Sequence, residues 1–241
     1  MSVLICVFAF NGIQLVQKYF DYSNSELEYT SLKQYAPVVS DVPTETNQPK
    51  STSNPNLGFN PQALKQINSD FVGWIKIPGT NIDYPMAQGN DNTYYLTHSF
   101  KKERNSAGSI FLDYRIMGDF EGKNSIIFGH HMRNDTMFAQ INLFKSSYFS
   151  KLHPYAYIFT PKGRLKYEYI GSYIFPGNKN VLKISFNDKK SFLNYIKQIQ
   201  SISSYKTTLR IEKDDKLLTL VTCTYEFENA RFVVHFKQIP N

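Results

Sequence analysis

Cysteine is scarce in this chain, with two residues, Cys6 and Cys223, among 241. A disulfide scaffold is thereby excluded, and Cys223 has no obvious partner, because Cys6 lies far off in an apolar N-terminal segment. No cysteine or carboxylate stands at standard zinc spacing around His130 and His131, so neither a metal centre nor any other cofactor is expected. Arginine-rich blocks and basic-aromatic motifs of the RNA-binding kind are also missing. The formal charge of +7 comes from scattered lysines, and nucleic acid is not expected as a partner. Internal repeats are absent. So is an unbroken apolar run of the ~20 residues that a membrane span needs. Val3 to Phe10 is apolar, but Asn11 and Gly12 interrupt it before Ile13, Leu15 and Val16. No basic residue precedes this stretch and no small-residue cleavage pattern follows it, so residues 1–20 read as an anchor, a signal or a buried helix. Lys18, Tyr19 and Phe20 suit an interface, which favours an uncleaved anchor over a removed signal.

What the chain does contain is apolar and aromatic side chains, 41% and 15% of residues, enough for one substantial core. The aromatics are mostly Tyr and Phe, which suit half-buried strands. Between Ser40 and Pro61 the chain is rich in Ser, Thr, Asn and Pro, a composition that buries too little surface to offset ordering entropy. Three segments are therefore expected: an anchor or signal-like segment (1–20), a polar linker (21–60) and a folded domain (61–241). In the domain, Asn60 and Pro61 open a short helix through Ile67. Alternating runs predict strands at Trp74 to Ile77, Ile82 to Pro85, Ser109 to Tyr114, Ser125 to Phe128, Tyr155 to Thr160, Leu165 to Tyr169, Lys216 to Thr224 and Arg231 to Ile239. Apolar spacing predicts helices at Met137 to Phe149 and Ser191 to Ile199. Many short strands at this spacing indicate a mainly β barrel or sandwich with inserted helices.

The chemistry gathers at strand ends. Thr219-Leu220-Val221-Thr222-Cys223 is a β-type run ending on the lone thiol, and Arg231 heads the next strand. A thiol there is a candidate nucleophile, and a guanidinium can favour thiolate or hold an oxyanion. On these residues alone the plainer reading is favoured, with Cys223 a buried small hydrophobe and Arg231 a solvated strand residue. His130 follows Ile126-Ile127-Phe128-Gly129, where an apolar strand leaves the core, and is the candidate acid/base; His131 beside it should point elsewhere. His98, His153 and His235 fit idle surface positions, His235 on the outward face of its strand. Glu226 and Glu228 fit solvated loop carboxylates.

Thr219-Leu220-Val221-Thr222-Cys223 resembles the Thr-Leu-x-Thr-Cys signature of sortases, Gly129-His130 resembles their Gly-His step, and Arg231 before Phe232-Val233-Val234 resembles their arginine. The opening from Trp74 to Pro85, the segment from Asp91 to Leu96, Met137-Phe138 and the helix near Ser191 to Ile199 resemble class B members in particular. The resemblance spans about Ile67 to Ile239. It implies a closed sortase-type β-barrel with peripheral α-helices and a membrane-anchored cysteine transpeptidase on the outer face of Gram-positive cells. Cys223 would be the nucleophile, His130 the general acid/base and Arg231 the stabiliser of oxyanion or substrate. The partners implied are surface proteins with a C-terminal sorting motif cleaved after Thr, and an amine of a peptidoglycan precursor. Asn92, Leu96, Thr222, and the segment from Tyr173 to Leu182 beginning with Tyr173, would lie at the sorting peptide. Two rival functions are an endopeptidase that resolves the same thioacyl with water and a non-catalytic module that binds wall polymers.

Overall fold

A computed structural model describes residues 2–38, 58–203, 207 and 209–240. Eight strands close into one barrel in the order β1-β2-β3-β4-β7-β8-β6-β5. They are β1 (Phe71–Lys76), β2 (Asp83–Ala87), β3 (Ile110–Leu112), β4 (Asn124–Phe128), β5 (Tyr155–Thr160), β6 (Gly163–Pro176), β7 (Leu217–Cys223) and β8 (Ala230–Ile239). The mainly β barrel with peripheral helices is thus the observed architecture.

The strand pairing is antiparallel except at β2 with β3 and β4 with β7. The second exception sets up the site. Parallel strands bring their C-terminal ends to the same rim, so Phe128 pairs with Val221 and the chain beyond each strand emerges side by side. β7 then turns back through residues 224–229 into β8, which places Arg231 directly opposite Cys223. Trp74 anchors the far side of the barrel, fully buried, its indole N–H donating to Asp83 Oδ1 at 2.7 Å.

Helix α1 (Ser2–Leu32) is one continuous element, and among the described residues no helix is long and apolar enough to cross a membrane. The linker expected at 21–60 is therefore shorter at its start. Residues 21–32 are helical, and Tyr29 and Leu32 bury against the barrel because both are large apolar groups on the face that meets it. Residues 39–57, the middle of that expected linker, lie outside the described residues. Helix α2 (Pro61–Ile67) starts as its sequence suggests, with Asn60 Oδ1 accepting from Ala63 N at 3.0 Å.

The helix expected from Met137 to Phe149 is instead two pieces. A 3-10 turn at Ala139–Lys145 stops at Ser146, whose extended backbone breaks the spiral and whose hydroxyl caps α3 (Ser147–Leu152). Apolar spacing cannot register that interruption: Ile141 and Phe144 are buried in the first piece, whereas Tyr148, which continued the spacing, is exposed in the second. Helix α4 (Lys189–Ile202) opens on an Asp188–Ser191 capping box and buries Phe192, Tyr195, Ile196 and Ile199. It lies over the outer face of β6 and β8, where Ser203 Oγ accepts from Ser172 N at 3.0 Å.

That cover corrects one expectation. His235 is fully buried, not an idle surface group, because Tyr195 of α4 meets its ring edge-on and Tyr173 stacks on it at 5.5 Å. Burial pushes its imidazole down to about 3, so it stays neutral through the physiological range and shares a 2.9 Å hydrogen bond with Thr219 Oγ1.

Candidate active site

Cys223, His130 and Arg231 all reach one rim, lining a groove of about 340 Å³ together with Asn92, Leu96 and Thr222. Cys223 is half-buried and unpaired. Its floor follows from register: Phe111 pairs with Phe128, Phe128 with Val221, and Phe175 with Arg231, so these side chains share the outer face of the sheet. The far wall is the segment after β6, including Lys179 and Leu182.

Two glycines are required by close approach. A Cβ on Gly129 would stand 2.5 Å from Ile110 Cδ1 and 2.7 Å from the Phe138 ring, so only glycine lets the chain leave β4 and lift His130 to the rim. At Gly177 a Cβ would sit 2.7 Å from Asn229 Oδ1 and 3.2 Å from Arg231 Cζ. The guanidinium therefore lies against bare backbone, and its Nη1 donates to the carbonyl of Ala230 at 3.1 Å.

His130 is held by one contact that assigns its nitrogens. Nε2 lies 2.7 Å from the carbonyl oxygen of Leu96, which only accepts, so the proton sits on Nε2. Nδ1 remains for proton transfer. The chain on both sides of His130 is stitched to the chain on both sides of Cys223. Thr222 Oγ1 donates to the Gly129 carbonyl at 2.8 Å, His131 Nδ1 binds the Cys223 carbonyl at 3.0 Å, and Tyr225 Oη donates to the His131 carbonyl at 3.2 Å. Thr222 also lines the groove, and its hydroxyl serves this brace.

The turn beyond Cys223 is pinned as well. Lys145 Nζ donates to Thr224 Oγ1 at 2.8 Å and to the Glu226 carboxylate. Burial raises the Glu226 carboxyl, but hydrogen bonds from Lys145 and Thr224 outweigh it and hold the group at about 2. Glu226 is exposed in the loop, as expected of a solvated carboxylate, and is tethered there.

Tyr173, expected at the sorting peptide, does not line this groove. It shares the groove's face of β6, yet lies one cross-strand pair deeper, opposite Val233, where it stacks on His235 beneath α4. Phe175, two residues on, lines the groove in its place. The resemblance pointed to this segment; the position of α4 says where its open part begins. Arg115 also lines the groove and had no motif to mark it. It is held bidentately by buried Asp113, with Nε to Oδ1 at 3.0 Å and Nη2 to Oδ2 at 2.7 Å. Burial raises the Asp113 carboxyl, and the bonds to Arg115 more than reverse this, so it stays ionised.

His131 is a positioning residue by this geometry. His131→Ala should lower kcat about tenfold with KM for the peptide little changed, because releasing the Cys223 carbonyl lets the thiol drift from its line of attack. His131→Asn, able to rebuild the bond, should recover much of the loss, and steady-state kinetics of the two variants checks this.

A closed barrel whose rim gathers thiol, imidazole and guanidinium beside a peptide-sized groove is the framework of a thiol-dependent acyl-transfer enzyme. The sortase domain family model matches residues 75–239. The solved structure of Clostridium perfringens sortase B is 38% identical, covers 75% of this chain and 100% of its own, and superposes with a TM-score of 0.73. A Staphylococcus aureus sortase B–substrate complex is 29% identical over 74% of this chain and 84% of its own, with a TM-score of 0.70. Sortase B of Listeria monocytogenes is 29% identical across 98% of this chain and 94% of its own length. The chain belongs to the sortase family and is a class B cysteine transpeptidase.

Proposed function

We propose that this transpeptidase cleaves a C-terminal sorting signal after Thr and transfers the surface protein to an amine of a peptidoglycan precursor. The observation that carries the reading is the pairing of Cys223 opposite Arg231, with His130 at the same rim of one peptide-sized groove. Cys223 Sγ gives its proton to His130 Nδ1 and attacks the threonyl carbonyl, forming the C–S bond. Arg231 stabilises the oxyanion, and His130 Nδ1 gives a proton to the departing amine as the C–N bond breaks. In the second half an acceptor amine attacks the thioacyl carbonyl, His130 Nδ1 takes its proton, and the amide forms as thiolate leaves. Asn92 and Leu96 flank the peptide at the groove's edge. The apolar run from Val3 to Phe10, with Lys18, Tyr19 and Phe20 after it, supports tethering to the membrane with the catalytic domain outside the cell.

Intact mass of the full chain, after incubation with Leu/Asn/Ser/Pro-Pro-x-Thr-Gly/Asn peptides, tests this. The expected result is an adduct equal to the peptide through Thr, which an added amine converts to an amide product. An acid product alone in the presence of amine would show an endopeptidase instead.

A further inference from the structure

His130 does not border one cavity but two. On its other side, a second hollow of about 640 Å³ is lined by Thr97, Arg104, Asn105, Ser106 and, from α1, Asp21, with Leu96 and His130 forming the ridge between the two. It continues into a neighbouring hollow of about 390 Å³ that shares Asp21, Arg104 and Asn105 and runs along α1 past Glu28 and Lys101. The two together make a trough that ends at the histidine.

We infer that this trough, roofed by α1, binds the amine acceptor as an extended peptide whose amino end reaches His130. The inference rests on the transpeptidase reading above and adds the location and chemistry of its second substrate. Cleavage and ligation are the same reaction in opposite directions at the carbonyl. The nitrogen that leaves and the nitrogen that enters must each exchange a proton with His130 while the acyl peptide fills the thiol groove. The incoming chain therefore needs a path that touches His130 without displacing the acyl group, and the trough meets the histidine from outside that groove.

Its lining differs in kind. The thiol groove is floored by Phe111, Phe128, Val221 and Phe175, whereas the trough presents hydroxyls, an amide and exposed charges of both signs. Among the described residues neither Asp21 nor Arg104 has an ion-pair partner. Asp21 can hold an ammonium on its way to His130, and Arg104 a carboxylate farther along an acceptor that carries both. The roof is firmly seated. Buried Tyr29 donates to the Gly108 carbonyl at 2.6 Å and accepts from Phe100 N at 3.3 Å, Ser25 Oγ donates to Asn105 Oδ1 at 2.6 Å, and Glu28 accepts from Lys101 N at 3.1 Å.

The step balances without any added reagent: the amine nitrogen bonds to the acyl carbon, the C–S bond breaks, the amine proton goes to His130 Nδ1 and on to the departing sulfur. The test uses the full chain, one sorting peptide and two competing amines. Triglycinamide is long enough to lie in the trough, and hydroxylamine is too small to need it. In Ser106→Tyr, which fills the trough, and Asp21→Asn, which removes its carboxylate, the ratio of triglycinamide product to hydroxylamine product should fall roughly tenfold, the effect of losing one charge-assisted contact. An unchanged ratio in both variants, with the thioacyl still formed, would overturn the trough while leaving the transpeptidase reading intact. Failure of the unmutated chain to form any thioacyl with the sorting peptides would overturn both.

Discussion

Cys223→Ala should abolish cleavage of a quenched-fluorescent sorting peptide, with the rate falling by at least about 10⁴ to the uncatalysed background. The thiol is the covalent partner in both halves of the proposed cycle, and no other thiol lines the groove. Arg231 and His130 would still bind the peptide, so its affinity should be nearly intact while turnover is lost. Removing one half-buried sulfur at a strand end disturbs little packing, and the thermal midpoint should move by no more than a few degrees. Cys223→Ser should be nearly as inactive, since a hydroxyl is a far weaker nucleophile at neutral pH than a thiol. Appreciable adduct formation in Cys223→Ala, read by intact mass, would remove this residue from the nucleophile's place.

His130→Gln should lower kcat/KM by about 10²–10⁴, the range of general acid/base contributions. Glutamine can still donate to the Leu96 carbonyl, so the segment stays in place and the loss reports proton transfer instead of misfolding. A further readout separates this from a structural effect: Cys223→Ala combined with His130→Gln should be no slower than Cys223→Ala alone, because the two groups act as one unit. Preserved turnover in His130→Gln would assign the proton transfers to another group at the rim.

Much of the barrel is legible along the chain. Period-two alternation marked seven of the expected runs close to where strands lie, and Asn60-Pro61 marked the start of α2. β6 is longer than its expected run because Ile170 to Pro176 mixes apolar and polar groups without clean alternation. From Ile170 to Tyr173 both faces are covered, one by the barrel interior and the other by α4, so the usual contrast between inward and outward positions is lost. His235 was misplaced for a related reason. Alternation along β8 puts it on the outward face, but whether outward means solvent depends on a helix that packs back from residues 189–202.

The residue types of the site were determined by the sequence alone: a single thiol closing a Thr-rich strand, a glycine-histidine step, an arginine opening the last strand, and their resemblance to one family. Tertiary structure decided that they meet. Parallel pairing of β4 with β7 is a contact between residues about ninety positions apart, as in Ile127 with Leu220, and no local propensity encodes which strands become neighbours. It also decided what surrounds them, from the His131 brace on the Cys223 carbonyl to the trough that exists only because α1 folds back and seats Tyr29 on the barrel. Local patterns specify which way a side chain points, whereas what lies opposite it is a property of the closed fold.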